Sequence, residues 1–225
     1  MSTLNLLYQK RYVINDFISI VIPTVGEIID NEDAYYNLVS VLTAMPIDLM
    51  VQLEDAGIDF TSINEYELFL LMFAGFKSQD TSLIFGDLDL SKFKIAVNEE
   101  NGTVVLLDEE HDIKIDRAIH GQIAGVLRKI HHLEKNRRKP ANDEAKQFML
   151  KRARDKMKRR KNRKEDSQLE SLIVAMVNTE QYKYDFEGRR QEQYYRYGLF
   201  KVKPQPVAVK GCDCWIYEST VLTRQ

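Results

Sequence analysis

Apolar residues recur along most of the chain with the spacing of amphipathic helices, and only short stretches alternate as strands do. Residues 16–25 are rich in β-branched side chains and predict a strand that ends at Pro23. Helical spacing follows over 33–44 and again over 46–56, where Gly57 marks the end of the second helix. The pattern therefore begins with one strand followed by helices.

The next predicted helix is apolar on nearly every face. Ser62 and Glu65 have the spacing of a capping box, and the apolar positions continue to about Phe73. A helix without a polar face has no side to turn towards water, so we expect it at the centre of the core.

A change of pattern follows from residue 83. Stretches at 93–97 and 103–107 flank Asn101-Gly102 and predict a hairpin, and 112–115 is a candidate third strand. Asp116 is expected to cap an amphipathic helix; its apolar stripe is Ile119, Ile123, Val126, Ile130 and Leu133. Together these elements predict an α+β fold, a helix-rich globular front with a small antiparallel strand or hairpin layer.

Beyond a charged break at 135–140, Asn142 is expected to cap a helix over 143–160. Its thin apolar stripe consists of Ala145, Phe148, Met149, Ala153 and Met157. Ser167 to Glu170 has a second capping-box spacing and opens another helix, with 158–166 as the tip of a basic helical hairpin. We therefore divide the chain into an acidic globular α+β domain (1–138), a basic helical hairpin arm (139–187) and a C-terminal tail (188–225) without clear periodicity.

Charge is strongly segregated along the chain, although the net charge is only −2. Residues 1–127 hold 7 Lys/Arg against 21 Asp/Glu, and residues 128–164 hold 17 against 4. Like charges crowded into one segment repel one another, so this separation calls for a physical reason.

Three interpretations of the basic segment 128–164 stay open. It could contact an acidic protein surface, including this chain's own front or a neighbouring subunit; it could follow nucleic-acid phosphates; or it could be a solvated hairpin without a ligand. Phe148 is the only Phe, Tyr or Trp within residues 128–164, which disfavours base stacking and favours protein contact. The candidate partner-binding residues are Phe148, Met149, Met157, Arg159, Arg160, Lys161 and Arg163.

Motifs for catalysis or metal binding are weak. His120, His131 and His132 lack further ligands at a useful spacing and are expected to be solvated, and Cys212 and Cys214 lack a second pair of ligands. Asp87 and Asp89 are expected in a turn before a strand. We expect no catalytic residue, no metal, no cofactor and no enzymatic activity. No apolar run approaches the roughly 20 residues of a membrane helix, and residues 1–11 lack the order of a signal peptide, which favours the cytoplasm.

Several segments resemble a group of phage proteins encoded in tail-morphogenesis operons of phages that infect Gram-positive bacteria. The similar segments are 22–29, Tyr35-Tyr36, 69–73, 83–89, 163–169 and 174–184, within residues 18–187. Residues 188–225 depart from what that group would show.

The resemblance implies a non-enzymatic role in bacteriophage tail assembly and virion morphogenesis, as a tail-assembly chaperone or a baseplate-region component. Its partners would be other phage structural proteins, such as tail-tube or tape-measure proteins. It would act in the host cytoplasm, with the virion as a second location. The alternative is a nucleic-acid-binding protein that uses the basic arm 128–164.

Overall fold

A computed structural model of the chain describes residues 9–98, 102–160, 169, 173–174, 205–207 and 216–218. Its α+β architecture confirms the predicted fold class. The strands are β1 (Arg11–Val13), β2 (Ser19–Val21), β3 (Lys94–Val97), β4 (Val104–Asp108), β5 (Ile113–Ile115), β6 (Gln205–Val207) and β7 (Ile216–Glu218). The helices are α1 (Val25–Asp30), α2 (Glu32–Thr43), α3 (Met50–Asp55), α4 (Glu65–Phe76), α5 (Ser82–Phe85), α6 (Arg117–Ile130) and α7 (Asp143–Arg160), with 3-10 turns at Pro46–Leu49 and Leu90–Lys92.

The strand predicted from residue 16 to Pro23 is shorter than expected, and a helix follows it closely. Strand β2 covers only Ser19–Val21 and pairs antiparallel with β1. Thr24 then caps α1: its Oγ1 accepts a hydrogen bond from the Glu27 backbone N at 3.3 Å, and Glu27 Oε2 accepts one from the Thr24 backbone N at 2.7 Å. These reciprocal bonds satisfy two orphan helix donors and turn the chain out of the sheet.

Helix α4 lies in the core as predicted, but its cap is two residues later than the sequence pattern indicated. Asn64 Oδ1 accepts hydrogen bonds from the backbone N of Tyr66 and Glu67, and Glu67 Oε2 accepts one from the Asn64 backbone N. The Ser62 hydroxyl instead donates to the Asp59 carbonyl. The buried side chains of α4 are Tyr66, Leu68, Phe69, Phe73 and Phe76, whereas Leu71 is 54% exposed.

The predicted hairpin and third strand form a three-stranded antiparallel meander in the order β3-β4-β5. Val97 pairs with Val104, and Leu106 pairs with Ile115. Gly102 has a φ of +67°, as a tight turn requires; Asn101 lies outside the described residues. The strand layer is thereby confirmed.

Helix α6 packs its predicted stripe against this layer and against α2. Asp116 caps it through hydrogen bonds from the backbone N of Ala118 and Ile119, and Ile123, Val126 and Ile130 are at most 2% exposed. Leu133 was wrongly included in the stripe, because the helix ends at Ile130 and leaves Leu133 44% exposed.

The buried apolar residues form two clusters. The larger one joins β2, the meander, α2, α4 and α6, and it also contains Leu169 and Ile173. Leu169, Ile173 and Val174 are helical, in line with the second predicted helix, whereas residues 161–168 of the proposed hairpin tip lie outside the described part of the chain. The smaller cluster consists of Ile47, Val51, Leu53, Phe60, Leu68 and Leu150. Among the described residues, no helix is long and apolar enough to cross a membrane.

We expect the change Ile123→Asp to lower the free energy of unfolding by several kcal/mol, because it places an unpaired carboxylate in the main core. The neighbouring Gln122→Asp is the matched control, since Gln122 is exposed on the same helix. Thermal melts followed by circular dichroism compare the two. Equal melting temperatures would contradict the packing of α6.

Candidate functional site

Helix α7 carries most of the candidate residues and begins where the sequence predicts. Asn142 Oδ1 accepts a hydrogen bond from the Ala145 backbone N at 2.8 Å. Asp143 and Glu144 occupy the first turn, where carboxylates interact favourably with the positive end of the helix dipole. The basic residues follow from Lys146 onwards.

The predicted apolar stripe of α7 does not form one face. Phe148 is 60% exposed and points away from the body, whereas Met149 and Ala153 are half-buried against the smaller cluster. Met157 is 37% exposed. Arg159 is exposed and Arg160 ends the helix; Lys161 and Arg163 lie outside the described residues. The structure thus separates Phe148 from the other apolar candidates.

Leu150 is the residue that the sequence interpretation missed. It is 1% exposed and belongs to the smaller cluster with residues of α3 and α4. The spacing Lys146, Leu150, Ala153, Met157 follows one helical face and would have identified it. Phe148 lies nearly half a helical turn from Leu150, whereas Met149 and Ala153 of the predicted stripe do pack on the body.

Four cations of the basic segment pair with four carboxylates of residues 54–65 in the acidic front. The pairs are Arg128–Glu65 at 2.5 Å, Lys135–Glu65 at 2.5 Å, Lys146–Asp59 at 3.0 Å, Lys146–Glu54 at 3.7 Å and Arg154–Asp55 at 2.8 Å. The basic segment is therefore bound in part to this chain's own acidic surface, one of the contacts considered from sequence.

Glu65 is the most enclosed carboxylate of this set. Its side chain is 12% exposed, and Arg128, which is 11% exposed, also donates to the Thr43 carbonyl at 2.6 Å. Burial alone would raise the pKa of Glu65, but hydrogen bonds from Lys135 and Arg128 outweigh it and hold the pKa below its usual range. The ionised Glu65 thus joins α4, the end of α6 and the segment leading to α7.

Lys146 connects α7 to the loop after α3. Its Nζ lies 5.5 Å from the centroid of the Phe60 ring, and the hydrogen bond to Asp59 raises the pKa of the ammonium. Hydrogen bonds from the Thr61 backbone and hydroxyl, with a further one from Lys146, lower the pKa of Asp59 to about 2. Both groups are therefore charged at neutral pH.

A cleft of about 590 Å³ lies between α4, α6 and the segment 135–146. Its floor is largely aliphatic and includes Met45, Pro46, Ile47 and Ile63. Its rim carries the basic residues Arg117, Arg137, Arg138 and Lys139, all of which are exposed. An apolar floor with a cationic rim can bind a ligand that is both apolar and anionic.

His120 borders this cleft and is not solvated, contrary to the expectation from sequence. It is 2% exposed and its ring stacks on Phe69 with centroids 4.3 Å apart. Burial lowers the pKa of His120 to about 4, so the imidazole is neutral at pH 7. Its Nε2 has no hydrogen-bond partner among the described residues.

His131 is also buried, because it follows the inward stripe of α6. Its Nε2 lies 3.0 Å from the Tyr35 hydroxyl. The expectation of a solvated side chain is therefore wrong for His131 as well.

Ligand-type side chains also meet at the turn between β4 and β5. Donor atoms of Asp108, Glu110 and His111 lie within 4.8 Å of one another. However, Asp108 Oδ2 is 2.8 Å from His111 Nδ1, and Glu110 Oε2 accepts from Lys92 Nζ at 3.1 Å. These contacts already use the ligand atoms, so the group has the character of a structural turn.

The other motifs weighed for metal binding behave as ordinary structure or lie elsewhere. Asp87 is 94% exposed beside Arg11, and Asp89 caps the 3-10 turn by accepting from the Ser91 backbone N, which fits the predicted turn. Cys212 and Cys214 lie outside the described residues.

Comparison with known proteins found no matching family model, no matching curated protein and no matching solved structure.

The buried neutral His120 makes stability depend on pH. Because its pKa is about 4 in the folded protein and about 6.5 when unfolded, the unfolded state binds a proton first as the pH falls. We expect this group to lower the free energy of unfolding by about 2 kcal/mol between pH 7 and pH 5. Urea denaturation of wild type and His120→Phe at both pH values measures the difference. An identical pH dependence in the two proteins would contradict the assignment.

Docking of α7 depends on Leu150, and we expect Leu150→Ser to release the helix from the body. Losing this burial should speed amide hydrogen exchange in α7 by about tenfold or more. Phe148→Ser is the matched control on the opposite face and should leave exchange unchanged. Similar exchange in both variants would show that Leu150 does not hold the helix.

Proposed function

We propose that this protein is a non-enzymatic phage tail or virion assembly protein that binds other tail proteins, as a chaperone-like factor or a baseplate component. The partners would be phage structural proteins such as the tail tube or the tape measure. The site of binding would be the outer face of α7.

The observation that carries this proposal is the division of α7 into two faces. Its inner face is seated on the body through Leu150, Lys146 and Arg154. Its outer face presents Phe148, 60% exposed, with the Arg152 guanidinium 5.7 Å from the ring centroid. Aromatic and arginine side chains are the residues that most often dominate protein interfaces, and here they stand on a helix that is already positioned.

Residues along the outer face are spaced so that they share one side of the helix. Phe148, Arg152, Asp155 and Arg159 follow at intervals of four, three and four residues, and all are exposed. A mixed face of this kind suits a protein surface that offers an apolar pocket and carboxylates. The resemblance of residues 18–187 to tail-morphogenesis proteins names the class of partner.

The second candidate function is nucleic-acid binding through residues 128–164. It is favoured by a run of exposed cations on α7, Lys151, Arg152, Lys156, Lys158 and Arg159. Such a surface would bind phosphates by releasing counterions, and its affinity would fall steeply with salt. Phe148 is the only Phe, Tyr or Trp within residues 128–164, so stacking on successive bases is not supported.

The test is a pull-down with purified phage tail-tube and tape-measure proteins, alongside a gel shift with DNA and RNA at physiological salt. We expect Phe148→Ser to reduce protein capture at least about tenfold, in the range of an interface hot spot. Phe17→Ser is the matched control, because Phe17 is also 60% exposed but lies in the loop between β1 and β2.

A charge-reversal variant tests the cations at the end of α7 and beyond it in both functions. It changes Arg159, Arg160, Lys161 and Arg163 to Glu. Protein capture that survives both this variant and Phe148→Ser would overturn the proposal. If, in addition, a gel shift stayed tight for wild type at physiological salt and was lost with the four charges, the nucleic-acid function would replace it.

A further inference from the structure

The cleft between α4, α6 and residues 135–146 is a different surface from the outer face of α7. Its floor is aliphatic: Met45 and Ile63 are half-buried and Pro46 and Ile47 are buried. Half-buried apolar side chains at the base of a concave surface gain free energy when a ligand side chain covers them.

Charge on the cleft is unbalanced once internal ion pairs are taken into account. Lys146 is paired with Asp59, and Lys135 is paired with Glu65. The ion pairs of the described residues include none of the four rim cations Arg117, Arg137, Arg138 and Lys139. Of the carboxylates that line the cleft, Asp59 and Glu65 are in ion pairs, and only Asp143 is in none of these pairs. The rim is therefore positively charged, and its complement is an anionic ligand.

The aromatic rings beside the cleft are not open for stacking with bases. Lys146 lies over the Phe60 ring at 5.5 Å. Tyr66 is 7% exposed, donates its hydroxyl proton to the Ile115 carbonyl at 2.8 Å, and packs against Phe69 and His120. The cleft therefore offers nucleic acid positive charge but no aromatic surface for base stacking, whereas an aliphatic side chain can pack on the apolar floor.

We infer that this cleft binds an acidic peptide segment of a partner protein. An aliphatic side chain of the peptide would cover the apolar floor that includes Met45 and Ile63, and its carboxylates would pair with Arg137, Arg138 and Lys139. This surface does not depend on the outer face of α7, so it stands whether or not the proposed assembly function holds.

Fluorescence anisotropy of the full chain tests the inference with three labelled probes at physiological ionic strength. The first is the peptide Asp-Glu-Leu-Asp-Glu-Leu-Asp-Glu, the second is the same peptide with both Leu replaced by Ser, and the third is a thymidine oligonucleotide of the same length. We expect the first peptide to bind, and the second to bind at least about fivefold more weakly because it cannot cover the floor.

Two charge-reversal variants locate the binding. Arg137→Glu/Arg138→Glu acts on the rim, and we expect it to weaken binding of the first peptide at least about tenfold. Lys151→Glu/Lys156→Glu makes the same change of net charge on exposed residues of α7 that do not line the cleft and are not among the residues assigned to the outer face. This control should weaken binding less than about threefold, since distant exposed charges are screened.

Each remaining outcome overturns the inference. If both variants weakened binding of the first peptide equally, the binding would be non-specific electrostatic attraction. If the two peptides bound with equal affinity, the apolar floor would not contribute to binding. Tighter binding of the oligonucleotide that is lost with Arg137→Glu/Arg138→Glu would make the cleft a nucleic-acid site. A change of mass in light scattering caused by the same variant would make a second copy of the chain the occupant. If that variant melts below wild type, Arg137→Ala/Arg138→Ala takes its place.

Discussion

Seventeen cations within residues 128–164 repel one another, and the fold relieves part of this repulsion by seating the segment on the acidic front. Arg128, Lys135, Lys146 and Arg154 each reach a carboxylate of residues 54–65. Because those carboxylates also repel one another, the contact reduces the electrostatic repulsion within both segments. The cleft and the orientation of α7 both depend on this contact.

The individual interactions in this contact differ in weight. Exposed pairs such as Arg154–Asp55 typically contribute at most about 1 kcal/mol, so their main effect is to set the register of α7 on the body. Glu65 with Arg128 is more enclosed, and removal of either partner would leave a charge in a poorly hydrated place. Leu150 supplies the apolar burial, about 1.5–3 kcal/mol for a side chain of this size. Apolar burial therefore stabilises the docking of α7, and the ion pairs determine its position on the body.

Local signals were enough to predict most of the fold. The hairpin around Gly102, the cap at Asp116 and the start of α7 after Asn142 each depend on residues close in sequence, and the structure confirms them. A helix start with two candidate capping residues was harder to predict. Ser62 and Asn64 both precede α4, and the structure shows that Asn64 forms the cap while the Ser62 hydroxyl donates to the Asp59 carbonyl.

The site was less predictable because it depends on which face of a helix meets the body. The sequence pattern places Phe148 in the apolar stripe of α7, yet the contact face is centred on Leu150. The acidic segment 54–65 binds Lys146 and Arg154 on that side. His120 has no sequence signal for burial except its position in the α6 stripe, one turn before Ile123 and Ala124. The cleft is lined by segments that are far apart in the chain, so no local sequence pattern predicts it.

The central claim is that α7 is seated on the acidic front in solution. Spin labels on cysteines placed at the exposed positions Gln52 of α3 and Lys151 of α7, with Cys212 and Cys214 replaced by Ser, report the distance between the two helices by electron–electron double resonance. The account predicts one narrow distance distribution at physiological salt. A broad distribution extending to long distances would show that the basic helix is detached from the body and would contradict it.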